Sequence, residues 1–183
     1  MGLAIPRTLI TNSADEVRAF AASVNAPLVT KPLGTPYVAH AQGSETMYTR
    51  DVDLDALDGV ELTAHLFQER MDKAYEVRLF VVGEDCHSVK ITAHSSAARQ
   101  DWRSDYDALA YEPVATPADV IIGIRGYMAR LGLTYAAMDF IVEPSGRWTF
   151  LEANPSGQWA WLNSPRIPLA AAISQQLEAW CRR

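Results

Sequence analysis

Residues 134–161 read TYAAMDFIVEPSGRWTFLEANPSGQWAW, and the fold turns on this stretch. Apolar runs at 136–142 and 148–153 flank Glu143-Pro144-Ser145-Gly146-Arg147, a cluster of turn formers. The pattern predicts a β-hairpin. Within its strands stand Asp139, Glu152 and Asn154, polar residues where core residues are expected. Glu152 and Asn154 lie two apart, so a strand turns both to one face. A loop at 144–147 puts Asp139 opposite Glu152, whereas a loop shorter by one residue shifts that pairing by one. Singly, such residues mark a strand edge or the start of a loop. Facing each other on adjacent strands, two carboxylates repel unless a cation neutralises them. Carboxylate and amide oxygens are hard donors, and they suit Mg2+.

The chain has 183 residues and is 49% hydrophobic, enough for one domain or two small subdomains. Its formal charge of -6 argues against nucleic acid or an anionic membrane as partner. Cys86 and Cys181 are far apart without metal-type spacing, which fits a reducing cytosol and no disulfide framework. His40, His65, His87 and His94 are scattered and form no ligand pattern. No apolar run is long enough to span a bilayer, and the opening residues do not read as a signal peptide.

Residues 8–11 read as a strand, and Ser13-Ala14-Asp15-Glu16 opens a helix with a capping box. A strand is expected at 27–33. Residues 33–48 lack any period and read as a long loop or flap, with strands at 47–50 and 62–69 beyond it. Residues 75–82 (YEVRLFVV) and 86–93 read as a hairpin joined at Gly83-Glu84-Asp85. Residues 95–112 are polar and read as an irregular surface loop. A helix is expected from Pro117 to Gly132, with Val120, Ile121, Ile124, Met128 and Leu131 on its buried face, and a last one at 168–180. Strands and helices interleave without a βαβ rhythm, so the class is α+β. Trp159, Trp161 and the apolar last helix are expected to pack into the core, with a homodimer contact as their alternative use.

Other residues stand out. Lys31 interrupts the apolar strand 27–33, where its ammonium either snorkels to the edge or reaches a cleft. Gln68, Glu69, Arg70, Met71, Asp72 and Lys73 follow a strand directly. They form either a plain connector or a hinge whose backbone can hydrogen-bond a base edge, with Lys73 a solvated loop lysine. Glu76 and Arg78 share one face of the 75–82 strand, as an ion pair or as a phosphate contact. Arg103, in Asp101-Trp102-Arg103, reads as a plain surface-loop arginine.

Taken in order, IPRTLIT, VTK, Gln68-Glu69, EVRLFVVG, DWRSD, MDF and LEANPSG resemble the ATP-grasp superfamily over nearly the whole chain. PRTLITN, DWR and NPSGQWAW look most like the ATP-grasp maturases of ribosomally made peptides, the graspetide or microviridin type, beside the glutathione-synthetase-like branch. The resemblance implies an ATP-grasp fold of two β-rich subdomains with an ATP cleft between them, here residues 1–70 and 71–183. It implies ATP and Mg2+ as cofactors and a precursor peptide as partner. Lys31 would meet the phosphates, and the segment Gln68, Glu69 and Met71 the adenine. Arg78, with Glu76 beside it, would stabilise the transferring phosphate. Asp139, Glu152 and Asn154 would hold Mg2+, and Arg103 would orient the peptide carboxylate or the acyl phosphate formed from it.

The implied chemistry is activation of a peptide Asp or Glu side chain as an acyl phosphate, opened by a hydroxyl or amine to a macrocyclic ester or amide. Alternatives are a non-catalytic ATP-binding module and a small amino acid ligase of the glutathione-synthetase type. Enzymes of this branch carry roughly 100 residues or more before the PRT stretch, including a further phosphate-binding lysine. The sequence does not contain that part, so catalysis and peptide docking are expected to depend on it.

Overall fold

The computed structural model describes residues 2–34, 37–40 and 43–182. The chain divides into two compact units, one of Pro6–Met71 with Ala93–Leu109, the other of Met1–Ile5, Asp72–Thr92 and Ala110–Arg183.

In the first unit the strands are β1 (Thr8–Thr11), β2 (Leu28–Lys31), β3 (Tyr37–His40), β4 (Gly43–Thr46), β5 (Arg50–Asp51) and β6 (His65–Glu69). They build an antiparallel sheet in the order β1-β6-β2-β5 and a separate β3-β4 hairpin. Helix α1 (Ala14–Val24) turns Val17 into a core with Leu28, Leu57, Val60 and Phe67. Ser13 caps it by accepting from the Glu16 amide, and Asn25 ends it in the left-handed region at φ 52°. The expected reciprocal capping box is only half formed. The Glu16 carboxylate takes the Thr11 hydroxyl instead, and that hydroxyl oxygen accepts from the Ser13 amide at 3.1 Å.

Several expectations need correction here. Within 33–48, β3 and β4 pair as a hairpin, because strand pairing does not need the apolar alternation that was missing. The strand expected at 47–50 is shorter and later, at β5. The one expected from residue 62 starts at His65, because Gly59 (φ 86°) leads into a 3-10 turn at Val60–Leu62. Most consequentially, 95–112 is ordered. It holds α2 (Ser96–Gln100), 3-10 turns at Trp102–Ser104 and Tyr106–Ala108, and the start of β9 (Leu109–Val114). Ser95 caps α2 and Asp101 caps the turn at Trp102–Ser104, and Asp101 and Trp102 are buried.

The second unit carries β7 (Tyr75–Val82), β8 (Asp85–Ala93), β9, β10 (Tyr135–Val142) and β11 (Trp148–Asn154), ordered β11-β10-β7-β8-β9. On one face α3 (Ala118–Leu131) sets Val120, Ile124 and Met128 against Val77, Leu79, Met138 and Phe140, whereas Ile121 is only partly buried and Leu131, at the end of the helix, is exposed. Gly132, left-handed at φ 63°, stops that helix. On the other face Phe80, Val89 and Ala137 pack with Leu162, Ile167 and Leu169, the last opening α4 (Leu169–Cys181). Trp159 joins this cluster as expected, whereas Trp161 and Trp180 are exposed. Ahead of both sheets in sequence, Ala4 bridges Thr149 and accepts from the Phe150 amide at 2.7 Å.

Candidate functional site

The candidate residues divide between the units. Lys31, Gln68, Glu69, Met71 and Arg103 belong to the first; Glu76, Arg78, Asp139, Glu152 and Asn154 belong to the second.

In the second unit, Arg78, Asp139 and Glu152 form one row across three strands. Asp139 on β10 is in register with Arg78 on β7 and with Glu152 on β11. The hairpin reaches that pairing by an unexpected route. Its loop is the shorter one, 144–146: the Gly146 amide donates to Glu143 O at 2.8 Å, and the Glu143 amide to Arg147 O at 3.0 Å. Gly146 takes φ 84°, as such loops require. Left regular, this loop would put Asp139 opposite Leu151. A bulge between Asp139 and Phe140 shifts the ladder by one, and Glu152 becomes the partner.

Arg78 Nη1 donates to both Asp139 oxygens, at 2.9 and 2.8 Å, with the two side chains 11% and 14% exposed. The guanidinium also lies over the Phe80 ring, its carbon 5.7 Å from the centroid. Glu152 and Asn154 are exposed at the end of the row. The Asn154 side-chain oxygen accepts from the Ser156 amide at 2.8 Å and keeps a second lone pair. Two carboxylates and this amide match the donors that Mg2+ takes. Among the described residues no group of three or more His, Cys, Asp or Glu is placed to hold a metal. Any cation here would therefore draw on the amide or on ligands from outside the chain. Glu76 is buried and bound to Lys73 Nζ at 2.6 Å. Lys73 is thus a partly buried ion-pair partner and not the solvated loop lysine that its polar neighbours suggest.

In the first unit Lys31 ends β2, opposite Leu66 of β6, and is partly buried. Gln68 is buried and its amide donates to Thr8 Oγ1 at 2.9 Å, fastening β6 to β1. The Glu69 amide goes to Arg7 O and the Glu69 carboxylate accepts from the Arg7 amide, so this backbone edge is already paired. Met71, partly buried, follows Arg70, whose amide donates to Pro27 O. Arg103 lays its fork on Asp101, with Nε to Oδ1 at 2.9 Å and Nη2 to Oδ2 at 2.8 Å. Asp101 Oδ2 also accepts from the Thr49 amide and hydroxyl, at 3.1 and 3.2 Å. Burial works to raise the Asp101 carboxyl, but the hydrogen bonds and charge of Arg103, with the amides of Thr49 and Arg103, hold it down at about 2.

Sequence reasoning singled out Arg103 but missed Asp101 as its anchor. An aspartate two residues before an arginine, placed to cap a turn, was the available signal. It also missed Tyr135 and Gly157, whose contacts depend on tertiary packing.

Among solved structures, the chain is similar to a ribosomal-peptide-associated ATP-grasp ligase of Chryseobacterium gregarium, solved in complex with ADP and a leader and core peptide. The identity is 27% and the TM-score 0.87, covering 96% of this chain and 55% of that ligase. It is similar to the macrocyclase MdnC of Microcystis aeruginosa MRC, bound with precursor peptide MdnA, at 33% identity and a TM-score of 0.82. That match covers 97% of this chain and 57% of MdnC. The ATP-grasp ligase PsnB, complexed with a minimal precursor, Mg and ADP, shares the fold at 24% identity and a TM-score of 0.70, covering 96% of this chain and 54% of PsnB. The chain thus spans little more than half the length of each. No family model matches the sequence, and no curated protein does. The chain has the ATP-grasp fold and is similar, along nearly its whole length, to the ATP-grasp ligases associated with ribosomally made peptides.

Proposed function

We propose that this chain is the ATP-grasp portion of an ATP- and Mg2+-dependent ligase that activates a carboxylate side chain of a precursor peptide. The row Arg78–Asp139–Glu152 carries the reading, because it sets a guanidinium beside opposed carboxylates on one face of a sheet. The likeness to MdnC supports it.

Asp139, Glu152 and Asn154 would hold Mg2+, which supplies neutralisation of the phosphate oxygens. Arg78 would meet the oxygens on which charge spreads during phosphoryl transfer, and Lys31 the neighbouring phosphates. Glu76 would sit beside them, already bound to Lys73. Backbone from Gln68 and Glu69 to Met71 would border the adenine. Arg103, aligned by Asp101, would orient the incoming carboxylate. In the reaction a peptide carboxylate oxygen bonds to the γ-phosphorus and ADP leaves with the bridging oxygen. A hydroxyl or amine then bonds to the acyl carbon, loses its proton, and inorganic phosphate leaves. The product is an ester or an amide within the peptide. No helix among the described residues is long and apolar enough to cross a membrane. The free thiols Cys86 and Cys181 suit the cytosol as the site of action.

Calorimetric titration of AMPPNP with Mg2+ into wild type, Asp139→Asn and Glu152→Gln tests the site. Mg2+-dependent binding lost in both variants is expected. A folded wild type that binds no nucleotide overturns the reading.

A further inference from the structure

The turn after β11 is built against Arg78. Asn154 O accepts from the Gly157 amide at 3.1 Å, and Asn154 Oδ1 from the Ser156 amide, closing residues 154–157. Gly157 is buried, and a Cβ there would lie 2.4 Å from Ala137 Cβ and 2.9 Å from Arg78 Nη2. Bare backbone is therefore the wall on which the guanidinium rests. Tyr135 opens β10 on the same face as Ala137 and Asp139. Its hydroxyl donates to Gly157 O at 2.6 Å. Burial pushes the Tyr135 phenol up, against the pull of Arg78, so it is a protonated donor at neutral pH.

Arg78 needs such a wall. Among the described residues its side-chain hydrogen bonds to Asp139 both leave from Nη1, and its Nε is buried without a partner. Hydrogen bonds to one terminal nitrogen leave the guanidinium plane free to swing about that end. Packing between Phe80 and Gly157 supplies the missing restraint. We infer that Tyr135 is a positioning residue: by pinning the Gly157 carbonyl it holds the 154–157 turn against Arg78 and aims the guanidinium. The consequence for phosphate binding rests on the role proposed for Arg78 above; the clamp itself does not.

Two measurements on the whole chain test it. In 15N spectra, the Arg78 Nε–H signal, assigned by its loss in Arg78→Lys, is expected to exchange slowly with water in wild type. Tyr135→Phe keeps the ring and removes the hydroxyl, and should speed that exchange about tenfold. Rapid exchange in wild type, or an unchanged rate in Tyr135→Phe, overturns the clamp. In titrations with Mg2+, Tyr135→Phe should weaken AMPPNP about fivefold while ADP stays within about twofold. Equal weakening of both nucleotides would mean a general structural role and overturn the positioning assignment. A wild type that binds neither nucleotide, with exchange still faster in Tyr135→Phe, refutes the nucleotide reading and upholds the clamp. Should Tyr135→Phe fail to fold, rapid exchange in the wild type alone still overturns the clamp.

Discussion

Asp139 holds Arg78 through a single nitrogen, Nη1, which reaches both carboxylate oxygens at 2.8 and 2.9 Å. The proposed metal ligand and the proposed phosphate contact are thus each other's partners. Both side chains are largely buried, so removing one charge leaves the other poorly compensated. Asp139→Asn is expected to cost about 3 kcal/mol of stability. In a double-mutant cycle with Arg78→Met, part of that loss should return. Urea unfolding of the four proteins measures it; simple additivity would show that the pair is not coupled.

Asp101 makes stability depend on acid. Its folded carboxyl, held at about 2, lies below the ordinary value of 3.8. A depressed carboxylate contributes stability that is full above about pH 5 and is lost as pH falls toward 2. The contribution is about 2 kcal/mol, and Asp101→Asn should flatten the loss of stability between pH 5 and about pH 2 by that amount. Arg103→Gln removes the fork and should raise the Asp101 carboxyl, read from its 13C shift. A pH profile identical in wild type and Asp101→Asn would refute the assignment.

Gly146 tests the hairpin loop alone. It sits at φ 84°, and a Cβ there meets nothing within 4 Å, so Gly146→Ala carries conformational strain without a clash. A loss of about 1 kcal/mol is expected, with unchanged nucleotide affinity. A neutral substitution would show that the loop readily adopts another turn.

The Arg70–Asp51 pair should contribute little. Its side chains are 51% and 53% exposed, and the contact is 3.2 Å. Arg70→Ala is expected to change stability by under about 0.5 kcal/mol, by urea unfolding. A larger loss would mean that the Arg70 stem packs on the sheet.

Local signals decided much that was legible beforehand. The apolar runs of β7, β10 and β11, the Ser13 cap and the Gly132 stop each depend on neighbours a few residues away. The structure keeps them with small shifts in their ends. The segment 95–112 was misread because its order comes from side chains that cap turns, and its polarity looks like that of a surface loop. Lys73 looks solvated because its polar neighbours hide its partner, Glu76, which shares a strand face with Arg78.

The sequence by itself determined the strands β7, β8, β10 and β11 and that Asp139, Glu152 and Asn154 interrupt the last two, since alternation and turn residues are properties of adjacent positions. Only the tertiary structure decided that Asp139 meets Glu152: the loop at 144–146 would have misaligned them, and the bulge restores the pairing. It likewise decided that Gly157 backs Arg78 and that Asp101 aligns Arg103. Registers and walls of this kind arise from the packing of distant segments, and no local pattern of residue types encodes them.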